Sequence, residues 1–347
     1  MAKILLFGAT GQLGYDLDYL LKHTDHMVCS CAHTSNDSLS HCEMKDTGSI
    51  RRHIICFQPD VIINATGYND VDGAETNIND AYALNAEAVR VMGEEAKWSK
   101  MMYGRQALLI HYSTNFVFDG NPNGARLHYL EDDKTNPISV YGASKLQGEK
   151  YLLEMGAPAI ILRTSWLMGM RTNNFMTNLI KRFERGDLIE LAYDQYAYPT
   201  LSYDLAAATI EIMNICLKSK HPENYYGIYN ATNTFEEHDF SQRGINKLNV
   251  AKDILSAYIS AQDIYNSKAL SSNYNCVGAP SCHFDSAATR PTYAALGHSK
   301  MLKIFGLTLR DWRYSITREL SNYYYTKNHV NRIQHYLSKS GSKVVYG

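Results

Sequence analysis

An excess of charge of either sign is missing from this 347-residue chain: 34 Lys and Arg stand against 35 Asp and Glu, for a net charge of −1. No field gathers a polyanion, so nucleic-acid binding is not expected. Long apolar runs are missing too. None approaches the ~20 residues of a membrane helix, and no membrane association is expected. Nothing at the N-terminus resembles a secretory leader. The seven cysteines are odd in number and scattered, which excludes a disulfide framework. Cys29, Cys31 and His33, with His41 and Cys42 nearby, match no C-x-x-C spacing, so no metal site is expected there. Cys276 and Cys282 are expected to stay unpaired, because the setting implied is reducing and cytoplasmic. There is no G-x-S-x-G elbow, which argues against a hydrolase. Internal repeats and low-complexity runs are also absent.

What is present is an alternation of short apolar runs and amphipathic stretches. Lys3 to Phe7, Val28 to Ala32, Pro59 to Ala65, Ala107 to His111 and Ala159 to Leu162 read as strands. Tyr15 to Lys22, Tyr82 to Ala96 and Tyr141 to Met155 read as helices between them. Continuous apolar strands alternating with helices predict an α/β fold, a doubly wound parallel sheet covered on both faces. Beyond Arg163 the alternation weakens. Asn174 to Arg185 and Tyr203 to Leu217 still read as helices, while Ser267 to Arg290 lacks periodicity and reads as a long loop. The Tyr323–Tyr325 cluster and the polar end suggest a terminal helix with a loose tail.

Two motifs carry chemistry. Gly8, Gly11 and Gly14 follow the first strand and open a helix. Gly8 would allow the tight turn, Gly11 the approach of a pyrophosphate, and Gly14 close helix packing, with the helix N-terminus facing the phosphates. The second strand should end on the residue that reads the adenosine ribose. There the chain has Cys31-Ala-His-Thr-Ser35 and no carboxylate, which favours NADPH, with His33 or Thr34 at its 2′-phosphate and NADH as the alternative. The second motif is Tyr141-Gly-Ala-Ser-Lys145, whose tyrosine and lysine share one helix face. A lysine cation beside the phenol is expected to draw its pKa toward neutrality, making Tyr141 a proton donor. Thr114, at the end of the preceding strand, would hydrogen-bond a carbonyl oxygen, with Ser113 as the second candidate. The chain reads as a reductase acting on a carbonyl.

These residues resemble the dTDP-4-dehydrorhamnose reductase family of extended short-chain dehydrogenase/reductases. The resemblance runs from Lys3 to about Arg318. It rests on the glycine turn, Pro59–Ala65, Val71–Glu75, Leu84–Ala86, Tyr112–Gly120, Pro137–Lys145 with Gly148 and Glu149, and Arg163–Trp166. Asn174-Phe175, Asp194–Thr200, Arg290-Pro291 and Asp311-Trp312 complete it. It implies reduction of the 4-keto group of a nucleotide-linked 6-deoxy-4-keto-hexose, in polysaccharide precursor synthesis, with Thr114, Tyr141 and Lys145 catalytic. The cofactor would lie against Gly8, Thr10, Gly11, Gln12, Leu13, Gly14, His33, Ala65, Thr66, Tyr68, Asn85, Tyr141 and Lys145. The nucleotide-sugar substrate would meet Ser113, Asn115, Phe116, Trp166, Asn174 and Arg290, the last facing the diphosphate.

The expected division is a Rossmann domain of residues 1–165 plus about 200–232, and a smaller C-terminal α/β substrate domain of about 166–199 and 233–325. Residues 326–347 form a tail. The chain also departs from the family. Asn115-Phe116 replaces Asp-Tyr, Gly73 replaces a lysine, Ala197 replaces a glycine, and Asp16 replaces a glutamate that in some members helps bind Mg2+ at a dimer contact. Magnesium and a homodimer are therefore left open. A non-catalytic reading also stands, because the regulatory subunit of methionine adenosyltransferase resembles this family. The intact Thr114, Tyr141 and Lys145 argue against it.

Overall fold

A computed structural model of the chain describes residues 1–34, 39–121, 128–234, 244–266 and 275–340. Its centre is a seven-stranded sheet of β1 (Lys3–Phe7), β2 (Met27–Ala32), β3 (Ser40–His41), β4 (Val61–Asn64), β5 (Leu108–Thr114), β6 (Ala159–Thr164) and β7 (Gly227–Asn230). The strand order is β7-β6-β5-β4-β1-β2-β3, and every neighbouring pair is parallel. The order reverses between β1 and β4. The crevice at the carboxyl ends of these two strands is where α/β sheets of this kind take ligands.

The strands are apolar throughout because both faces are covered. Ile4 and Leu6 of β1 join Ile63, Ile110 and Leu162 against α1 (Gln12–Leu21) and α6 (Ser202–Lys218). The alternate residues Leu5 and Phe7 join Ile62, Leu109 and Ile161 against α2 (Thr47–Phe57), α3 (Ala88–Tyr103) and α4 (Val140–Glu154). The side-chain period of two sends successive residues into different layers, so the central strands are apolar on both faces except toward their carboxyl ends.

A second core forms where α5 (Phe175–Glu184), α7 (Lys247–Asn266) and α8 (Trp312–Ser340) meet, around Met176, Leu179, Ile254, Tyr258, Trp312 and Leu320. Beside it, Ile189–Ala192 pairs in parallel with Cys276–Ala279.

Three expectations change. The helix read at Tyr82 to Ala96 is a π-turn (Ala83–Glu87) followed by α3, which continues to Tyr103. The helix α7 was not foreseen. The stretch from Ser267 to Arg290 is not wholly loop, since Cys276–Ala279 is a strand; 267–274 lies outside the described residues. The terminal helix begins at Trp312, and 341–347 also lies outside them.

Candidate active site

The turn after β1 is built on backbone contacts that exclude side chains. Gly8 has φ +89°, and a Cβ there would stand 2.8 Å from the Ala65 carbonyl carbon and 2.9 Å from the Thr66 methyl. Its N–H and that of Ala9 both donate to the Cys31 carbonyl, at 2.9 and 3.0 Å. A Cβ on Gly14 would strike the Gly8 carbonyl oxygen, so α1 sits directly on the turn. Gly11 is the N-cap of α1 and contributes no side-chain cap, which leaves the first-turn N–H groups for an anion. A nicotinamide dinucleotide fits this cradle, where the backbone of Gly11, Gln12 and Leu13 would hold its pyrophosphate.

Two cavities open from the turn and share Gly11, Ala65, Thr66 and Asn69. The first, about 470 Å³, is lined by Gly8, Thr10, Ala32 and His33. It would take the adenosine end of such a cofactor. Glu43 also lines this cavity, 3.3 Å from His33 Nδ1, so the acid nearest the end of β2 faces an imidazole. Tyr68 and Asn85 are not in either wall. The Asn85 amide braces the loop behind it, accepting from the Tyr68 N–H (2.9 Å) and donating to the Tyr68 carbonyl (3.1 Å) and Ser144 Oγ (3.0 Å).

The second cavity, about 540 Å³, brings together Ser113, Thr114, Asn115, Phe116, Tyr141, Lys145, Trp166, Asn174 and Arg290. The end of β5 presents Ser113 and Thr114; α4 presents Tyr141 and Lys145 one turn apart. Ser139 caps α4, its hydroxyl accepting from the Gly142 N–H at 3.2 Å. The Lys145 ammonium donates to the Tyr112 carbonyl at 3.2 Å. Burial lowers its pKa to about 8, against the upward pull of Glu149. Burial raises the Tyr141 pKa, opposed by a hydrogen bond with Thr114. The expected draw of Tyr141 toward neutrality is therefore not present in the free protein: desolvation of the phenolate prevails. Tyr141 keeps its proton at neutral pH, as an acid must. Ser113 Oγ is buried with no hydrogen-bond partner among the described residues, so the wall holds an unused hydroxyl.

The remaining candidates divide by what their polar atoms already do. Trp166 has φ +41°, a conformation that costs a bulky residue about 1–3 kcal/mol and persists where the surroundings enforce it. Its indole lines the cavity from the end of β6. Asn174 caps α5, accepting from the Met176 and Thr177 N–H groups at 2.9 and 3.3 Å. Its amide donates to Gln12 Oε1 (3.0 Å) and to the Gly169 and Thr172 carbonyls. The Asn115 amide donates to the Ala294 carbonyl at 3.0 Å. Arg290 donates through both terminal nitrogens to Asp72, at 3.1 and 2.5 Å.

Sequence reasoning named Gln12 without its side-chain role and missed Lys247. Gln12 is more than a backbone donor: its side chain also donates to Ser202 Oγ at 2.7 Å and accepts from the Thr172 N–H at 3.1 Å, tying the cofactor turn to the segment before α5. Lys247, the first residue of α7, lines the cavity as well. The apolar spacing of Ala251, Ile254, Leu255 and Tyr258 would have revealed the helix, but not the direction of its first side chain. Asp16 is 2% exposed, faces inward and accepts from Ser202, so it offers nothing to a metal at the surface. Among the described residues no cluster of three His, Cys, Asp or Glu is placed to hold a metal, and no helix is long and apolar enough to cross a membrane.

The sheet with its switch-point turn, and the Thr/Tyr/Lys group at its carboxyl edge, define a short-chain dehydrogenase/reductase of the extended type. More narrowly, residues 2–325 match the family described as RmlD substrate binding domain, and the chain belongs to that family, the dTDP-4-dehydrorhamnose reductases. It is 30% identical over 319 residues to dTDP-4-dehydrorhamnose reductase of Aggregatibacter actinomycetemcomitans, covering 91% of this chain and 97% of that protein. A probable dTDP-4,6-dihydroxy-2-methyloxan-3-one 4-ketoreductase of Streptomyces antibioticus is 31% identical, over 90% of this chain and 92% of its own length. The solved structure of dTDP-4-dehydrorhamnose reductase from Bacillus anthracis in complex with NADP superposes with a TM-score of 0.72 at 26% identity. It covers 92% of this chain and 98% of that one.

Proposed function

We propose that this protein reduces the 4-keto group of dTDP-4-dehydrorhamnose to give dTDP-L-rhamnose, with NADPH as reductant, in the supply of a polysaccharide precursor. The nicotinamide, when bound, supplies the hydride. Tyr141 gives its proton to the carbonyl oxygen. Thr114 holds that oxygen, and Lys145 orients the nicotinamide ribose and stabilises the phenolate left on Tyr141. One observation carries this reading: the glycine turn, the Tyr141/Lys145 pair and Thr114 line one continuous crevice. NADPH is favoured over NADH because β2 ends on Ala32 with His33 next, not on an acid, and the nearest carboxylate, Glu43, lies 3.3 Å from the His33 ring.

The test is NADPH and NADH oxidation with dTDP-6-deoxy-L-lyxo-4-hexulose and with its UDP counterpart, the product being identified by NMR. Tyr141→Phe is expected to lower turnover about 10²- to 10⁴-fold while NADPH still binds. Turnover close to that of the unmodified protein would remove Tyr141 from the acid role. The Streptomyces relative, named for a different keto-sugar, makes the configuration at the reduced carbon the second outcome to resolve.

A further inference from the structure

Among the described residues the second cavity contains three cations besides the groups at its edge, and they differ in how far they are already neutralised. Lys145 belongs to the catalytic group. Arg290 is held in a two-point ion pair by Asp72, whose carboxylate also accepts from the Ala288 N–H at 3.0 Å. That pair fixes the loop before Pro291 and cancels the arginine charge. Lys247 has neither. Its ammonium makes no hydrogen bond or ion pair among the described residues and lies 5.3 Å from the centre of the Phe175 ring. Burial and the charge of Arg290 lower its pKa to about 8, with Asp72 opposing. A desolvated, unpaired ammonium over an aromatic face is costly unless an anion completes it.

We propose that Lys247 is the residue that receives the diphosphate of the nucleotide-sugar substrate, with Arg290 as part of the wall instead of the primary anion contact. The inference rests on the reductase reading above. The keto-sugar is uncharged, so the diphosphate is the substrate's only charged part, and among the described residues Lys247 is the only cation in this cavity, apart from the catalytic lysine, without a direct ion pair. The cofactor's pyrophosphate already has the N-terminus of α1. Lys247 instead enters the cavity from the start of α7, its backbone N–H donating to the Gln195 carbonyl at 3.1 Å. A charge-assisted hydrogen bond from an ammonium to phosphate oxygen supplies affinity without sugar specificity.

The experiment measures dTDP binding by calorimetry and NADPH binding by fluorescence, for the unmodified protein, Lys247→Met and Lys247→Arg. Lys247→Met is expected to weaken dTDP roughly 10- to 100-fold, with NADPH within about twofold, and Lys247→Arg to restore most of the loss. The unchanged NADPH affinity doubles as proof of folding. A dTDP affinity within threefold of the unmodified protein, or a parallel loss of NADPH, overturns the assignment. Failure of the unmodified protein to bind dTDP would instead overturn the reductase reading itself, so the two failures are distinguishable.

Discussion

Residue by residue, the site separates groups that do chemistry from groups that hold them. Tyr141 stays protonated because burial outweighs the help of Thr114, and Lys145 stays charged below about pH 8. At neutral pH the pair is therefore set for proton donation, the direction a reduction needs. At the other end of the crevice Ala32 is a single methyl group where a carboxylate would discriminate between cofactors. Ala32→Asp is expected to move the ratio of kcat/KM values toward NADH by at least tenfold, through repulsion of a 2′-phosphate at short range. A ratio unchanged in both cofactors would show that the ribose lies elsewhere along the wall. The placement of Gly8, Tyr141 and Lys145 was legible in the sequence because it follows from their spacing along a turn and a helix. Lys247 was not, since a single lysine carries no pattern and its meaning comes from the cavity that surrounds it.

Among the elements, α4 decides whether the catalytic pair is placed correctly, and a buried ion pair anchors it. Glu149, one turn beyond Lys145, accepts from Arg163 Nε at 2.9 Å and from its terminal nitrogen at 2.6 Å. Both side chains are almost fully buried, at 1% and 3% exposure, and the Arg163 guanidinium packs 5.1 Å from the centre of the Phe118 ring. Breaking such a pair leaves one uncompensated charge in the interior. Arg163→Met is expected to cost about 3–5 kcal/mol in urea unfolding, whereas the double variant Glu149→Leu/Arg163→Met recovers more than half of it. A single-variant loss under about 1 kcal/mol would show that α4 is anchored by its apolar face instead. The parallel strands were readable from sequence because a doubly covered sheet demands uninterrupted apolar runs. The second core was read less well. Its strands are two to four residues long, and Cys276–Ala279 exposes its central residues, so neither run nor alternation marks it. α7 was missed although its apolar spacing is regular, because it stands between two stretches without periodicity.

At the scale of the whole molecule, the sheet and the second core are joined beneath the crevice by one polar chain. Asp16 of α1 accepts from Ser202 at the start of α6; Ser202 accepts from Gln12, and Gln12 accepts from Thr172 and Asn174 before α5. Burial raises the Asp16 pKa to about 6, with Glu319 of α8 adding to the rise and Ser202, Arg171 and Gln12 opposing it. The sign of the consequence follows from linkage. In the unfolded chain this carboxyl ionises near its ordinary value of 3.8, whereas in the folded protein it holds its proton until about pH 6. Its penalty is absent at lower pH, grows as pH rises through that window, and reaches ~3 kcal/mol at most above it. Buried His111 acts in the opposite sense: its pKa lies well below 6.5, so stability falls as pH drops below that value. The two overlap in a simple pH titration, but a comparison of variants isolates Asp16. Asp16→Asn keeps an oxygen for Ser202 and removes the charge. Its stability relative to the unmodified protein is expected to be near zero at pH 4 and to rise to a gain of about 1–3 kcal/mol by pH 7, measured by urea unfolding at each unit between. A difference that stays constant from pH 4 to 7 would mean that Asp16 ionises normally in the folded protein and that the polar chain joining the two cores carries a full charge.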